Sequence, residues 1–199
     1  MTNINLLFAG VGGQGVVTTG IVLGDAIVKK GINVVMSEVH GMAQRGGKVT
    51  VEMKIGERNS PLIGLGQANV IVGFEPIETY RVLKKGNKDT AIIINSSKIV
   101  PFTVFVGESK YPDFDILVKN IREYFKNLYI IDAKSLAIES GNSLAENMVM
   151  LGALTGIDIV PITKEEIIDS IKRNMANKRY ESFNIKAFEL GYSHIKKSN

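Results

Sequence analysis

Two glycine-punctuated stretches hold the residues whose chemistry ordinary packing explains least. The first is GVGGQG, Gly10 to Gly15, in which Gly10, Gly12 and Gly15 fit G-x-G-x-x-G. The first glycine permits a tight turn, the second lets backbone approach a ligand, and the third lets a helix pack on its strand. The helix start adds free N–H groups and a positive dipole end, so a phosphate is the natural guest. Gly13 and Gln14 complete this loop. The second stretch is VHGMAQRGGKVTV, Val39 to Val51, where His40, Gln44 and Arg45 stand among Gly41, Ala43, Gly46 and Gly47. The planar fork of Arg45 suits a phosphate or carboxylate, and Gly46 lets a ligand or another backbone come close. His40 has acid–base or hydrogen-bonding chemistry to offer. Glu38 contacts a ligand, pairs with Arg45 or caps a loop, and Gln44 reaches backbone or a partner. The plain alternatives are a surface ion pair for Arg45, a structural hydrogen bond for His40, and glycines that serve only the turn.

Those residues need elements to hold them. Asn5 to Ala9 is a short apolar run that predicts a buried strand, followed by a helix from Gln14 to Lys30 closed at Gly31. Ile32 to Met36 predicts a second buried strand, so a βαβ pattern and a mainly parallel sheet are expected. Lys48 to Ile55 alternates strictly, which predicts a strand with one wet face and hence at least one antiparallel or edge strand. Further strands are expected over Asn69–Gly73, Thr90–Ile94, Phe102–Val106 and Tyr129–Ile131. Helices are expected from Pro76 to Lys85 and from Asp113 to Lys126. Asp132, after the last strand, reads as the cap of the helix that follows. Ser143 with Glu146 and Thr163 with Glu166 predict capping boxes, for helices ending at Gly156 and about Asn174. A final amphipathic helix covers Ser182 to Ile195. The fold class is therefore α/β: a single Rossmann-like domain over 1–199, with a mainly parallel sheet and helices on both faces.

Composition narrows the chemistry. The 199 residues include no cysteine and two histidines, and the formal net charge is +4. Disulfides and thiolate-ligated iron–sulfur clusters are excluded for this chain, and no metal site is expected. Solvated helix faces account for the mild basic excess, so no nucleic-acid partner is expected. No apolar run reaches membrane-spanning length and the first ten residues read as a strand, which makes a cytoplasmic location the expectation. The stretch LAENMVMLGALT is apolar nearly all round, so its helix is deep core or covered by another subunit. Core burial is preferred for Met148 and Met150, yet the stretch also raises the expectation that the isolated chain self-associates.

Together, FAGVGGQGVVTTGIVLGDA and SEVHGMAQRGGKVTVEMKIG resemble the gamma-type domain of 2-oxoacid:ferredoxin oxidoreductases. The form GMAQRGG is similar to small (beta) subunits of the indolepyruvate branch of that family. The resemblance implies a complex that turns an arylpyruvate, CoA and oxidised ferredoxin into an arylacetyl-CoA, carbon dioxide and reduced ferredoxin. It implies thiamine diphosphate with Mg and 4Fe-4S clusters on a large (alpha) partner subunit, CoA as co-substrate, and ferredoxin as a partner of the complex. It implies no cofactor bound by this chain alone and no catalytic residue in it. Gly10, Gly12, Gly13, Gln14, Gly15, Glu38, His40, Gln44, Arg45 and Gly46 are the candidates for ligand or partner contact. Two other classes stay open. A stand-alone NAD(P)-binding oxidoreductase would use the glycine loop with Glu38, 23 residues after Gly15. The loop's early passage into the strand at Lys48, in place of a crossover helix, weighs against it. A phosphate-binding regulatory module is the other.

Overall fold

The computed structural model describes residues 3–41, 46–57, 59–101, 104, 106–175 and 178–198. Its strands are β1 (Ile4–Val11), β2 (Val34–His40), β3 (Lys48–Ile55), β4 (Ala68–Gly73), β5 (Gly86–Asn95) and β6 (Asn127–Ile131). The helices are α1 (Val16–Lys29), α2 (Pro76–Val82), α3 (Phe114–Tyr124), α4 (Ala133–Ser140), α5 (Glu146–Gly156), α6 (Lys164–Asn174) and α7 (Glu181–Ser198). The strands form one sheet in the order β2-β3-β1-β4-β5-β6. β1, β4, β5 and β6 run parallel, and β3 is antiparallel to both β1 and β2.

Side chains on a strand alternate between faces, and here both faces are covered. Leu6 and Phe8 join α1, α5, α6 and α7 in one core, whereas Leu7 and Ala9 join Val82, Ile121 and Phe125 beside α2 and α3 in the other. Helices on both faces of a mostly parallel sheet are what the apolar runs predicted.

Three expectations need correction. β2 is an edge strand, with Met36 and Val39 exposed, because β3 takes one side of it and no described strand pairs with the other. It extends to His40, so Glu38 and His40 sit on the strand rather than in the loop. β3 has no wet face: Thr50 and Glu52 are each only 6% exposed. The Glu52 carboxylate accepts the Ile63 amide at 2.6 Å and pairs with Lys85. Glu52 thus marks a part-buried ion pair beneath the segment that follows β3. Finally, α5 has no capping box. Ala145 is its N-cap with no side-chain bond, and the Glu146 carboxylate accepts from Asn95 Nδ2 at 3.2 Å instead. The Thr163–Glu166 box at α6 is present in both directions.

The apolar helix α5 is buried within the chain, with Met148 and Met150 inaccessible to solvent. α7 lies directly on it. A Cβ on Gly152 would overlap the Phe188 carbonyl, and one on Gly191 would overlap the Val149 carbonyl, so glycine sets the separation of these helices. The helix therefore supplies no ground for self-association. In the expected strand at Phe102–Val106, Phe102, Thr103 and Phe105 lie outside the described residues. Val104 and Val106 belong to no strand. No helix among the described residues is long and apolar enough to cross a membrane.

Candidate functional site

From β1 the chain builds β2 and β3 on one side of the sheet and β4, β5 and β6 on the other. The carboxyl ends of β1 and β4 flank that reversal, the place where open α/β sheets form a ligand crevice. The glycine loop occupies it. Gly10 has no room for a side chain, since a Cβ would lie 2.8 Å from the Phe74 Cβ and from Val16. Gly13 and Gly15 adopt φ of 102° and 71°, which favours glycine. Gly15 is the N-cap of α1, with no side-chain cap and no acid in the first turn. The helix start thus keeps its dipole uncompensated and its first amides free of a side-chain acceptor.

Gln14 fastens this loop to the sheet. Its Oε1 accepts the Val11 amide and its Nε2 donates to the Phe74 carbonyl, both at 2.8 Å. Asn95, at the end of β5, donates to the same carbonyl at 3.2 Å and accepts the Ala133 amide at 3.1 Å. These two amides tie together the ends of β1, β4 and β5 and the start of α4.

Two clefts of about 230 Å³ each open on either side of Gly12 and Gly13. The first is lined also by Ser97, Lys98, Lys134 and Glu146. Lys98 Nζ lies 5.5 Å from the centroid of the Tyr111 ring, and the Tyr111 hydroxyl donates to the buried Glu75 carboxylate. Burial, and then that carboxylate, push the Tyr111 hydroxyl pKa far up. Burial likewise raises Glu146 above the usual carboxylate range, against the Asn95 hydrogen bond and the nearby Lys134. Asp132 is held low by hydrogen bonds from Ser135 and caps α4, the role expected for it. The first cleft therefore offers the glycine loop, two ammonium groups and one carboxylate whose pKa burial raises, while the start of α1 lines the second cleft.

The second cleft joins the glycine loop to the other motif, with His40 and Val49 beside Gly15, Val16 and Thr18. The Gly12 amide donates to the Gly47 carbonyl at 2.8 Å, and Gly41 donates to Lys48 at 2.7 Å. His40 Nε2 and Glu38 Oε2 are 3.6 Å apart, both about half exposed on the edge strand. Gln44 and Arg45 lie outside the described residues, while Gly46, with φ of 72°, borders them. Sequence reading brought the two loops together, and missed Asn95, Lys98, Lys134 and Glu146. Asn95, Lys98 and Lys134 were marked only by lying at or just after strand ends, a signal that needs the strand order, and Glu146 read as half of a capping box. The order also tells against dinucleotide binding: β3 separates β2 from β1, which puts Glu38 about 10 Å, two strand spacings, from the glycine strand.

The family model for pyruvate ferredoxin/flavodoxin oxidoreductase matches residues 5–194. The chain is 39% identical over 190 residues to the indolepyruvate oxidoreductase subunit IorB of Methanothermobacter thermautotrophicus, covering 96% of each. It superposes on the pyruvate oxidoreductase subunit PORC of Thermotoga maritima with a TM-score of 0.74, at 21% identity over 97% of each chain. It also superposes, with a TM-score of 0.73 at 17% identity, on 32% of a chain of 2-oxoglutarate:ferredoxin oxidoreductase from Magnetococcus marinus. That structure holds 2-oxoglutarate, coenzyme A and succinyl-CoA.

Proposed function

Because the chain belongs to the pyruvate ferredoxin/flavodoxin oxidoreductase family and is a subunit of a 2-oxoacid:ferredoxin oxidoreductase, we propose that it acts as the small, cofactor-free subunit on arylpyruvates. It does so as one domain, with the clefts about Gly12 and Gly13 facing a large partner subunit. The full-length likeness to IorB supports the substrate class. With no cysteine in the sequence, thiolate-ligated clusters belong to the partner. Thiamine diphosphate, which supplies the decarboxylation chemistry, belongs there too. This chain's own part is to seat the anionic end of CoA.

The observation that carries this reading is the glycine loop between two clefts, with Lys98 and Lys134 on one of them and the uncapped N-terminus of α1 on the other. A phosphate at the loop meets two ammonium groups on one side and the positive dipole end of α1 on the other. Glu146 accepts a hydrogen bond from a hydroxyl or amide in the uncharged part of the ligand. Gly10, Gly13, Gly15 and Gln14 hold the loop in shape. Glu38, His40, Gln44, Arg45 and Gly46 form the neighbouring contact for ligand or partner.

The test is reconstitution with the large subunit, assayed with indolepyruvate, CoA and ferredoxin. The isolated chain is expected to turn over nothing, and activity is expected to appear with the complex. Lys98→Gln with Lys134→Gln should raise the KM for CoA about tenfold, with kcat little changed, as for lost charge-assisted contacts. Arg45→Lys, which keeps charge and loses the fork, should weaken CoA or partner binding less than Arg45→Ala. Unchanged CoA kinetics in all of these variants would remove CoA from this chain. Preference of the complex for 2-oxoglutarate over indolepyruvate would remove the substrate class.

A further inference from the structure

A cavity of about 490 Å³ lies away from the glycine loop, at the opposite end of the parallel strands. It opens beside Gly86, where β5 begins, between α2 and α3. Its volume falls within the range of small-molecule sites. Tyr80, Tyr124 and Phe125 give it three aromatic rings, Lys84 and Lys88 two ammonium groups, and Asn120 an amide. None of the described residues lining it carries a carboxylate. No described carboxylate pairs with Lys84 or Lys88, and Asp89 is turned to Lys126 at 3.8 Å. The Asn120 side chain is half-buried and makes no hydrogen bond with any described residue. Tyr124 is 73% exposed, a large ring held at the rim without burial to explain it.

We propose that this cavity binds a planar aromatic anion, its ring against Tyr80, Tyr124 and Phe125 and its negative group on Lys84 and Lys88. Aromatic faces favour a flat ring over an aliphatic one. Two ammonium groups with no acid on the wall set the sign of the charge. The free Asn120 amide supplies a donor and an acceptor for a ring heteroatom. Neither the glycine loop nor CoA enters the reasoning, so the site stands or falls apart from the proposed function.

The aromatic anion has two sources by chemistry, an arylcarboxylate or a nucleoside monophosphate. The isotope-labelled full chain would be titrated with indole-3-acetate and with AMP, against acetate and neutral indole as partial probes. The expected result is saturable shifts of the Gly86 and Asn87 backbone amides and the Asn120 side-chain amide. These should appear with one or both complete probes and be far weaker with either half alone. The better of indole-3-acetate and AMP names the source. Tyr124→Ala should weaken binding about five- to tenfold, and Tyr124→Phe should restore it. Lys84→Gln with Lys88→Gln should weaken it about tenfold and remove its salt dependence. Tyr124 is exposed, so these changes at the rim leave the fold intact. No saturable binding, equal binding of acetate or indole, shifts confined to Gly12 and Gly13, or affinity unmoved by both Tyr124→Ala and the double lysine variant would each overturn the proposal.

Discussion

At the residue scale, the two ends of the Gln14 amide do different jobs, one on β1 and one on β4. We expect Gln14→Leu to lower stability by about 1–3 kcal/mol, the cost of leaving a part-buried amide unpaired, read as a shift in the urea midpoint at unchanged slope. Gln14→Glu keeps only an acceptor for the Val11 amide, so it should recover part of that loss. The glycines around Gln14 announced a loop, and the sequence made clear that backbone approaches something there. It did not reveal that Phe74 is the near neighbour, since adjacency of β1 and β4 spans some sixty residues. Glu52 teaches the same lesson. Strict alternation on β3 marked it as polar and outward-facing, whereas its true partner, Lys85, arrives from the turn between α2 and β5. A buried pair and a wet face leave the same pattern in sequence.

At the element scale, α1 is clamped to α6 through Asp25. Its carboxylate accepts from Ser170 Oγ and from Arg173 Nη2 at 2.6 Å each, and from Asn174 Nδ2 at 3.1 Å. Burial alone would raise its pKa, but these hydrogen bonds and the guanidinium outweigh burial and hold it below its usual value. A carboxyl depressed in the folded state stabilises above its unfolded pKa and loses that contribution as pH falls through the folded one. Asp25→Ala should therefore cost about 1 kcal/mol at neutral pH, after allowing for partial exposure. The difference from the parent should vanish in acid denaturation at the lowest pH. At the α5–α7 crossing, Gly152→Ala forces two backbones apart. We expect it to cost about 3 kcal/mol, at the upper end for overpacking, seen as a drop in Tm. The helix periodicities, the Thr163–Glu166 box and the Asp132 cap were legible because each is local. The false box at Ser143 was not, since Glu146 is drawn to Asn95 on a strand far away in sequence.

At the scale of the whole molecule, the sheet has a cleft at each end. The carboxyl end carries the glycine loop and Lys98, and the amino end of β5 carries the aromatic cavity. Adding the large subunit should slow amide hydrogen exchange at 12–14 and 97–99 and leave 86–88 unchanged; the reverse pattern would place the partner on the other end. The α/β class was readable from apolar runs alternating with amphipathic helices. The insertion of β3 between β1 and β2 was not, because strand order is a property of pairing and leaves no mark on either strand. That insertion has a consequence for synthesis. β1 is translated early, yet both of its neighbours, β3 and β4, come later, and Gln14 lacks its second anchor until Phe74 has emerged. A chain stalled on the ribosome with residues up to about 60 outside the tunnel holds three antiparallel strands around an unanchored glycine turn. Protease resistance near Gln14 should therefore appear in a single late step, when β4 docks.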